Sequence, residues 1–310
     1  MSFVLLVVGV LLLYIGGEGL VRGAATIGRH FGVSSIVIGL TIVSVGTSSP
    51  ELAATLAGVF QGAPAVSFGN VVGSNIANLG LVLGLTALIW PLDVAARFIR
   101  REMPVMLVVS AATFVIVIDG VIGRLEGLLL LLALIGYLRS LTGKDEKPEV
   151  EAEFNRAYGE ERHSIWWSVS AVVVGIALLI VGAQVLITGA IGMARSMGIS
   201  ERVIGLTLVA FGTSLPELAS CVVAAMRREG DLVLGNLIGS NIFNVLFILG
   251  TTATIRPFLV QTQAVWPDLI VMMIVSLLAW VLLRTGWRLG RREGLLLMAT
   301  YFAYLIYLFV

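Results

Sequence analysis

The chain has few of the residues that build disulfides, thiolate metal sites or catalytic metal centres. Its 310 residues include one cysteine, Cys221, and two histidines, His30 and His163. A single cysteine forms neither an intramolecular disulfide nor a multi-thiolate metal site, so we expect Cys221 to be a small packed core residue. Both histidines lie beside charged, loop-like segments and no HExxH motif is present, so we interpret them as interfacial. The sequence therefore predicts neither an enzyme nor a protein with a bound cofactor.

Charged residues are also scarce. They make up 13% of the chain, and hydrophobic residues make up 58%, whereas soluble domains are about 25% charged and about 45 to 50% apolar. The apolar runs are long and uniform, unlike the alternating strands of an outer-membrane barrel. Each is near or above the length that crosses about 30 Å of hydrocarbon. The sequence therefore predicts an all-α integral membrane protein with ten transmembrane helices, which begin near Phe3, Ile36, Val66, Met103, Leu125, Ile165, Val203, Leu232, Val265 and Gly294.

The positions of the basic residues predict an orientation, although the net charge of +1 indicates no class of partner. If the N-terminus is outside, basic residues on the cytoplasmic side outnumber those outside by about four to one. Both termini are then outside the cell membrane and the central loop is cytoplasmic. No basic residue precedes the first apolar segment and no cleavage site follows it, so we expect a retained helix. The basic residues expected outside are Arg124, Arg195, Arg202 and Arg256.

Part of the chain is duplicated. Residues 16–91 align without a gap to residues 182–257, with about 32 of the 76 positions identical. Five helices in each copy would insert the second copy upside down, and inverted repeats around a midplane site are typical of secondary transporters. We therefore predict a first five-helix repeat at residues 1–141, a solvated cytoplasmic linker at 142–163, and a second repeat at 164–310.

The best-preserved segments of the duplication place a glutamate after a proline inside an apolar run. GTSSPEL at residues 46–52 returns as GTSLPEL at residues 212–218. Pro50 and Pro216 must break or kink their helices, which frees backbone carbonyl oxygens. A carboxylate in the hydrocarbon costs about 2.5 to 3.5 kcal/mol on the insertion scale, so a purely structural role is a poor explanation for two of them. We therefore hypothesise that Glu51 and Glu217 are ion ligands.

Hydroxyl and amide side chains recur around these glutamates at helical spacing. Thr47 and Ser48 precede Glu51 by four and three residues, and Ser74 and Asn78 share a face of the next helix. Across a pseudo-two-fold axis such residues form a cage of oxygen ligands, which suits calcium, and partial sets of them suit sodium. Two carboxylates balance one divalent or two monovalent cations, as an exchanger requires. The equivalent residues of the second copy are Thr213, Ser214, Ser240 and Asn244.

Several other polar residues have simpler interpretations. Asn75 and Asn241 can hold helices together, and Glu18, aligned with Gln184, is expected to snorkel or to make a gate contact. Three aspartates near predicted helix ends are expected to be solvated, namely Asp93, Asp119 and Asp268.

On the paired GTSxPE and GSNxxN motifs the chain resembles the calcium/cation antiporter superfamily, in particular the prokaryotic sodium/calcium exchangers. The resemblance covers essentially the whole chain. It implies a site on the second, third, seventh and eighth helices and alternating access, with the first and sixth helices sliding past a rigid core. It implies calcium ligands at Glu51, Glu217, Thr47 and Thr213. Sodium sites would add Ser48, Ser214, Ser74, Ser240 and the carbonyls of Ser44 and Ala210.

One departure from the family concerns coupling. Close relatives can have aspartate where this chain has Asn244, and potassium-dependent exchangers use an acid there, so Asn244 argues against potassium co-transport. The proton-coupled branch places an acid where Gly69-Asn70 and Gly235-Asn236 here lead into GSN, which favours sodium coupling. A proton-driven or other divalent-cation exchanger remains the alternative, since sequence does not give cavity size. A passive channel or an intramembrane hydrolase fits the duplication less well. The expected partners are calcium, sodium and the lipid bilayer, with no nucleic acid and a monomeric protein.

Overall fold

A computed structural model describes residues 2–141, 164–198 and 212–309 of the chain. The predicted linker at 142–163 and the predicted ligand Ala210 lie outside the described residues. The described part is almost entirely helical, which confirms the predicted class. Its first half contains α1 (Ser2–Phe31), α2 (Ser35–Thr47), α3 (Ser49–Phe60), α4 (Pro64–Ile89), α5 (Met103–Ile116) and α6 (Arg124–Leu141). Its second half contains α7 (Ile165–Ser196), α8 (Leu215–Met226), α9 (Gly230–Ile255), α10 (Thr262–Arg284) and α11 (Arg291–Phe309).

Five of the described helices, α1, α4, α7, α9 and α10, are long and apolar enough to cross a membrane. Helices α2 and α3, which are bent by 43° at their junction, make a sixth if they count as one span. The other predicted spans fall on α5, α6, α8 and α11, which have 14, 18, 12 and 19 residues. The number of ten spans therefore stays a prediction.

Helix α9 lies at the centre of the molecule and α1 and α7 lie at its edge. In the most apolar stretch of α9, 94% of residues are buried, against 33% in α1 and 28% in α7. Helix α4 is also central, with 78% buried. Cys221 is 1% exposed on α8, as expected for a packed core residue. Helices α4 and α9, which carry the two GSNxxN motifs, are thus the most buried of the long helices.

Glycines bring the helix backbones close together at two crossings. Helix α1 packs along α7, where a side-chain carbon at Gly16 would lie 2.8 Å from the Gly175 carbonyl oxygen. At the crossing of α2 and α9, a carbon at Gly39 would lie 2.8 Å from the Leu232 oxygen, and one at Gly235 would lie 2.8 Å from the Ile36 oxygen. Only glycine allows such close approach, which lets dispersion contacts hold helices together without a hydrophobic driving force.

Two short strand pairings connect loops from the two halves. Strand β1 (Leu92–Asp93) pairs with β4 (Arg288–Leu289), and β2 (Val121–Ile122) pairs with β3 (Phe258–Leu259), both antiparallel. These strands were not predicted, because two residues are too short to show the alternating pattern of a strand. The pairing gives hydrogen-bond partners to backbone groups at the ends of helices.

Candidate cation site

Both motif glutamates lie in the first turn of a helix that begins at the repeated motif. Glu51 lies in α3 and Glu217 in α8, and each follows a proline at the first or second helical position, where a missing N–H breaks no helical hydrogen bond. The chain bends between Thr47 and Ser49, so the break predicted at Pro50 is present. The side chains are buried, with Glu51 1% and Glu217 0% exposed. Proline thus begins a helix that places a carboxylate inside the protein.

Hydroxyl groups of the first motif reach the second half of the molecule. Ser48 Oγ donates to Glu217 Oε1 at 3.1 Å, and Thr47 Oγ1 donates to Asn236 Oδ1 at 3.2 Å. Ser214 is buried beside Glu217 in sequence, and Thr213 is half-buried. The fold therefore brings the two GTSxPE motifs, more than 160 positions apart, into direct contact.

The two amides of the SNxxN motifs lie where the backbone departs from α-helical geometry. π-Helical turns begin at Asn78 in α4 and at Asn244 in α9. Such turns often occur at functional sites because they redirect a side chain out of the regular helical face. Both asparagines are buried, as are Ser74 and Ser240 four residues earlier. The structure therefore encloses these four predicted ligands in the protein interior.

Four oxygens at these positions are buried without a hydrogen-bond partner among the described residues. They are Oε2 of Glu51, Oε2 of Glu217, Oδ1 of Asn78 and Oδ1 of Asn244. A buried oxygen without a partner costs free energy, and most such atoms in proteins are paired. All four are acceptors, two from each copy of the repeat, and a set of acceptors without donors is suited to a hard cation. The described residues contain no group of three or more His, Cys, Asp or Glu side chains that could hold a metal ion, so neutral oxygens would have to complete such a site.

Ser44, the remaining predicted ligand, has hydrogen-bond partners on both its backbone oxygen and its hydroxyl. The Ser44 carbonyl accepts the Ser48 N–H at 3.0 Å and the Thr47 hydroxyl at 3.4 Å, so a cation at this oxygen would compete with both donors. The Ser44 hydroxyl donates to the backbone oxygens of Gly39 at 2.6 Å and Asn236 at 3.0 Å. Ser44 therefore has a packing contact across the α2–α9 crossing besides its predicted role.

Sequence reasoning missed the part played by the asparagine of the GN pair. Asn236 accepts from Thr47, and its Nδ2 donates to Ser220 Oγ at 3.0 Å. In the first copy, Asn70 Nδ2 donates to Thr55 Oγ1 at 3.0 Å and to the Glu51 carbonyl at 3.3 Å. The signal was available, because both asparagines belong to the repeated GNxxGSN segment. Each ties the helix that carries a motif glutamate to the next long helix.

Another buried acid, Glu102, was also missed. It is 0% exposed directly before α5, where Arg97 contacts it at 3.0 Å and the Tyr137 hydroxyl donates to it at 3.0 Å. Its only sequence signal was an acid inside the basic run RFIRRE. With a cation and a hydroxyl already bound to it, Glu102 is an element of helix packing rather than a free ligand.

The other acids lie where they were predicted, with one exception. Glu18 is held by Arg22 at 2.5 Å and by Arg227, so it makes an ionic contact instead of offering free oxygens. Asp93 is 95% exposed, as expected for a solvated residue. Asp268 is half-buried and accepts the Tyr304 hydroxyl at 3.0 Å, so the prediction of a solvated residue was wrong there. A helix end near the interface can be covered by a neighbouring helix, which sequence position does not reveal.

Comparisons with known proteins identify the family of the chain. The family model "Sodium/calcium exchanger protein" matches residues 1–143 and 167–310. The sodium/calcium exchanger MaX1 of Methanosarcina acetivorans is 35% identical, over 99% of this chain and 98% of its own. The inner membrane protein YrbG of Escherichia coli is 36% identical, over 98% and 96%. A solved structure of the sodium-calcium exchanger NCX_Mj superposes with a TM-score of 0.84 at 36% identity, covering 99% and 98% of the two chains.

The match extends over both copies of the repeat and over nearly all of the chain, in sequence and in fold. The resemblance read from the motifs is thereby confirmed. The protein is a membrane-embedded, multi-pass antiporter, and it belongs to the sodium/calcium exchanger family.

Proposed function

We propose that the protein exchanges sodium for calcium at one site in the middle of the membrane, by alternating access. The observation that carries this proposal is the set of four buried oxygens, on Glu51, Glu217, Asn78 and Asn244, that have no hydrogen-bond partner among the described residues. Two carboxylates are balanced by one calcium or by two sodium ions, so the two cargoes compensate the same charge and exclude one another. The ions are cargo, and no resident cofactor is needed because no covalent bond changes.

The remaining ligands would come from groups beside these oxygens. Ser48 already contacts Glu217, and a cation between the carboxylates would compete for that oxygen. Hydroxyls and two backbone carbonyls in the same segments can complete sodium coordination, which tolerates partial sets of oxygens. The proposed additional ligands are Thr47, Thr213, Ser48, Ser214, Ser74, Ser240 and the carbonyls of Ser44 and Ala210.

We further infer the architecture that such a site requires. Two inverted five-helix repeats, at residues 1–141 and 164–310, would place the equivalent motifs face to face. The strand pairings support this arrangement, because β1 with β4 and β3 with β2 are the same contact with the two copies exchanged. Both termini would be outside the cell membrane and the central linker inside, with one chain forming one transporter.

Alternating access would come from the two peripheral helices. Helices α1 and α7 are only 33% and 28% buried in their most apolar stretches, and they pack against each other through glycines. Smooth glycine surfaces allow a pair of helices to slide over a core without side chains interlocking. Their movement would open the oxygen site to one side of the membrane at a time.

Reconstituted protein tests the proposal. Purified protein in sealed liposomes should take up calcium when an outward sodium gradient is imposed, and an outward proton or potassium gradient should drive no uptake. Empty liposomes and liposomes with Glu51→Gln provide the controls. Uptake driven by protons but not by sodium would support the alternative proton-coupled exchanger. Calcium leaking equally without any counter-ion gradient would contradict antiport.

A further inference from the structure

Two asparagines that were expected only to hold helices together form a crossed pair between α4 and α9. Asn75 and Asn241 are 0% and 2% exposed. Each donates its Nδ2 to the backbone oxygen of the other, and both distances are 3.2 Å. Each Nδ2 also donates to a methionine sulfur at 3.7 Å, Met272 for Asn75 and Met106 for Asn241. Both N–H groups of each amide are therefore used, which fixes the side chain.

The oxygens of the same two amides act on the site. Asn75 Oδ1 accepts Asn244 Nδ2 at 3.0 Å, and Asn241 Oδ1 accepts Asn78 Nδ2 at 3.1 Å. Because the nitrogen and oxygen of an amide lie on opposite branches of one plane, holding Nδ2 on one side turns Oδ1 to the other. Those turned oxygens, on Asn78 and Asn244, are the ones without a hydrogen-bond partner among the described residues.

We propose that Asn75 and Asn241 are positioning residues for cation exchange, which set the amide oxygens of Asn244 and Asn78 toward the cation. The inference rests on the proposed function and adds a role to residues that do not touch the ion. Asn75 on α4 orients the amide of Asn244 on α9, and Asn241 on α9 orients the amide of Asn78 on α4. Without the fixed acceptor, the ligand amide could rotate and present N–H groups to a cation, which they repel.

A double-mutant cycle separates positioning from packing. Aspartate has two oxygens and no Nδ2, so Asn244→Asp needs no partner to orient it. Asn75→Ala should raise the calcium concentration that half-saturates binding to detergent-purified protein by about tenfold, as loss of one hydrogen bond to a ligand predicts. In the Asn244→Asp background the same substitution should change it by less than about twofold. Asn241→Ala with Asn78→Asp is the matched cycle on the other copy.

The possible results are distinct. If Asn75→Ala weakens calcium binding equally in both backgrounds, the residue acts by packing alone and the positioning role is wrong. If Asn244→Ala binds calcium as the unsubstituted protein does, Asn244 is not a ligand and the proposed site fails. Should Asn75→Ala not fold, the cycle on Asn241 and Asn78 decides by the same criteria.

A different observation concerns Glu18, which joins the peripheral helix α1 to the core. Both of its carboxylate oxygens accept N–H groups of Arg227, directly after α8, with a distance of 3.0 Å between Nε and Oε2. The two side chains are each 22% exposed. Arg22, on the same helix as Glu18, contacts it at 2.5 Å. The ion pair therefore closes one end of the α1–α8 contact.

The duplication shows that the Glu18–Arg227 ion pair has no charged equivalent in the other copy. The positions equivalent to Glu18 and Arg227 are Gln184 on α7 and Gln61 after α3, and both glutamines are exposed. An exchange of the roles of the two copies, as alternating access requires, would bring Gln184 toward Gln61. That contact would have no charge, so the two closed states are not equivalent.

From this asymmetry we infer a latch: the Glu18–Arg227 pair stabilises the state that is closed on the side of Arg227. The opposite closed state lacks it. The latch rests on alternating access at the proposed site. It would bias the resting transporter toward accepting cations from the side that Arg227 does not face.

Calcium affinity measured separately at the two faces tests the latch. In right-side-out and inside-out vesicles, Glu18→Gln should lower the half-saturating calcium concentration at the Arg227 face and raise it at the other. The ratio of the half-saturating calcium concentrations at the two faces should shift by about fivefold, as expected for a partly exposed ion pair. Glu18→Arg with Arg227→Glu should restore the ratio. Gln184→Glu with Gln61→Arg should move it in the same direction as Glu18→Gln, because it stabilises the opposite closed state.

Arg22→Gln is the matched control, because it removes a cation from Glu18 without breaking the contact between helices, and the ratio should stay within about twofold. A reciprocal change at two faces cannot come from partial unfolding, which reduces transport at both alike. Equal changes at both faces, no change, or a charge exchange that fails to restore the ratio would each refute the latch. Absence of calcium transport in the unsubstituted protein would instead refute the proposed function.

Discussion

The two copies of the repeat have kept their interior and changed their edges. At the centre, Asn75 and Asn241 make matching bonds, down to equal distances to each other's backbone. Toward the ends, the acid directly before α5 differs from its counterpart in α10. Both acids accept a tyrosine hydroxyl, but Glu102 is fully buried and also binds Arg97, whereas Asp268 is half-buried.

The position of these differences has a physical reason. Interior residues of the two copies contact one another, as Ser48 and Glu217 or Asn75 and Asn241 do, so a change in one copy disturbs the other as well. Glu102 and Asp268 instead have their ionic and hydrogen-bond partners within their own copies. The comparison teaches that pseudo-symmetry is needed where the two copies contact each other, and is dispensable elsewhere.

The strongest test of a shared site is the loss of either carboxylate. Glu51→Gln and Glu217→Gln should each reduce calcium uptake by at least about a hundredfold, because one of two charges that balance the cation is gone. The protein should remain folded, since a neutral side chain is easier to bury. Uptake into liposomes and size-exclusion profiles measure both. Near-normal flux in one variant would show that the copies do not share one site.

Next in size is the effect of the amide oxygens. Asn244→Ala removes a ligand oxygen and should weaken calcium transport about tenfold, and Asn78→Ala should do about the same. Asn244→Asp should retain exchange, become more sensitive to acid, and respond to potassium. Initial rates of calcium uptake at varied pH and potassium measure these effects. If alanine transports like asparagine and aspartate shows no altered response, Asn244 lies outside the site.

Acid should inhibit transport by a smaller, graded amount. Protons and cations compete for Glu51 and Glu217, which are buried and belong to contacting motifs. Apparent calcium affinity should therefore fall as pH falls from neutral to mildly acidic, and saturating calcium should restore the rate. Uptake measured at several calcium concentrations and pH values checks this. An affinity that is constant over that range would mean that the carboxylates do not bind protons in the empty site.

The smallest expected effect concerns Glu102 and Asp268, the equivalent acids whose surroundings differ between the two copies. Glu102→Gln should lower the free energy of unfolding by about 1 to 3 kcal/mol, because Arg97 loses its partner. Asp268→Asn should lower it by about 1 kcal/mol or less, since one hydrogen bond is affected. Thermal unfolding in detergent measures the difference. Calcium affinity of the folded fraction should be unchanged in both, and an equal loss of affinity in both would place these acids in the transport path.

Much of the site could be predicted because its signals are local and repeated. Proline before glutamate, a hydroxyl three or four residues earlier, and SNxxN at equal distance are all visible in the chain. Which individual residues of the two copies contact each other was not visible. Nothing in the sequence indicates that Ser48 reaches Glu217 or that Asn75 accepts a hydrogen bond from Asn244, because each contact joins residues about 170 positions apart. The ligand roles, the orientation and the number of spans stay predictions.

The sequence by itself determined the helical membrane class, the family and the residues with unusual chemistry, because composition, duplication and proline placement act over a few turns of chain. Only the tertiary structure decided which of those residues have free oxygens and which are satisfied. Glu51 and Glu102 are both buried acids, and only the packing of helices gives Glu102 an arginine, while one oxygen of Glu51 has no partner among the described residues. A side chain's partners depend on the helices that surround it, and those helices come from distant parts of the chain.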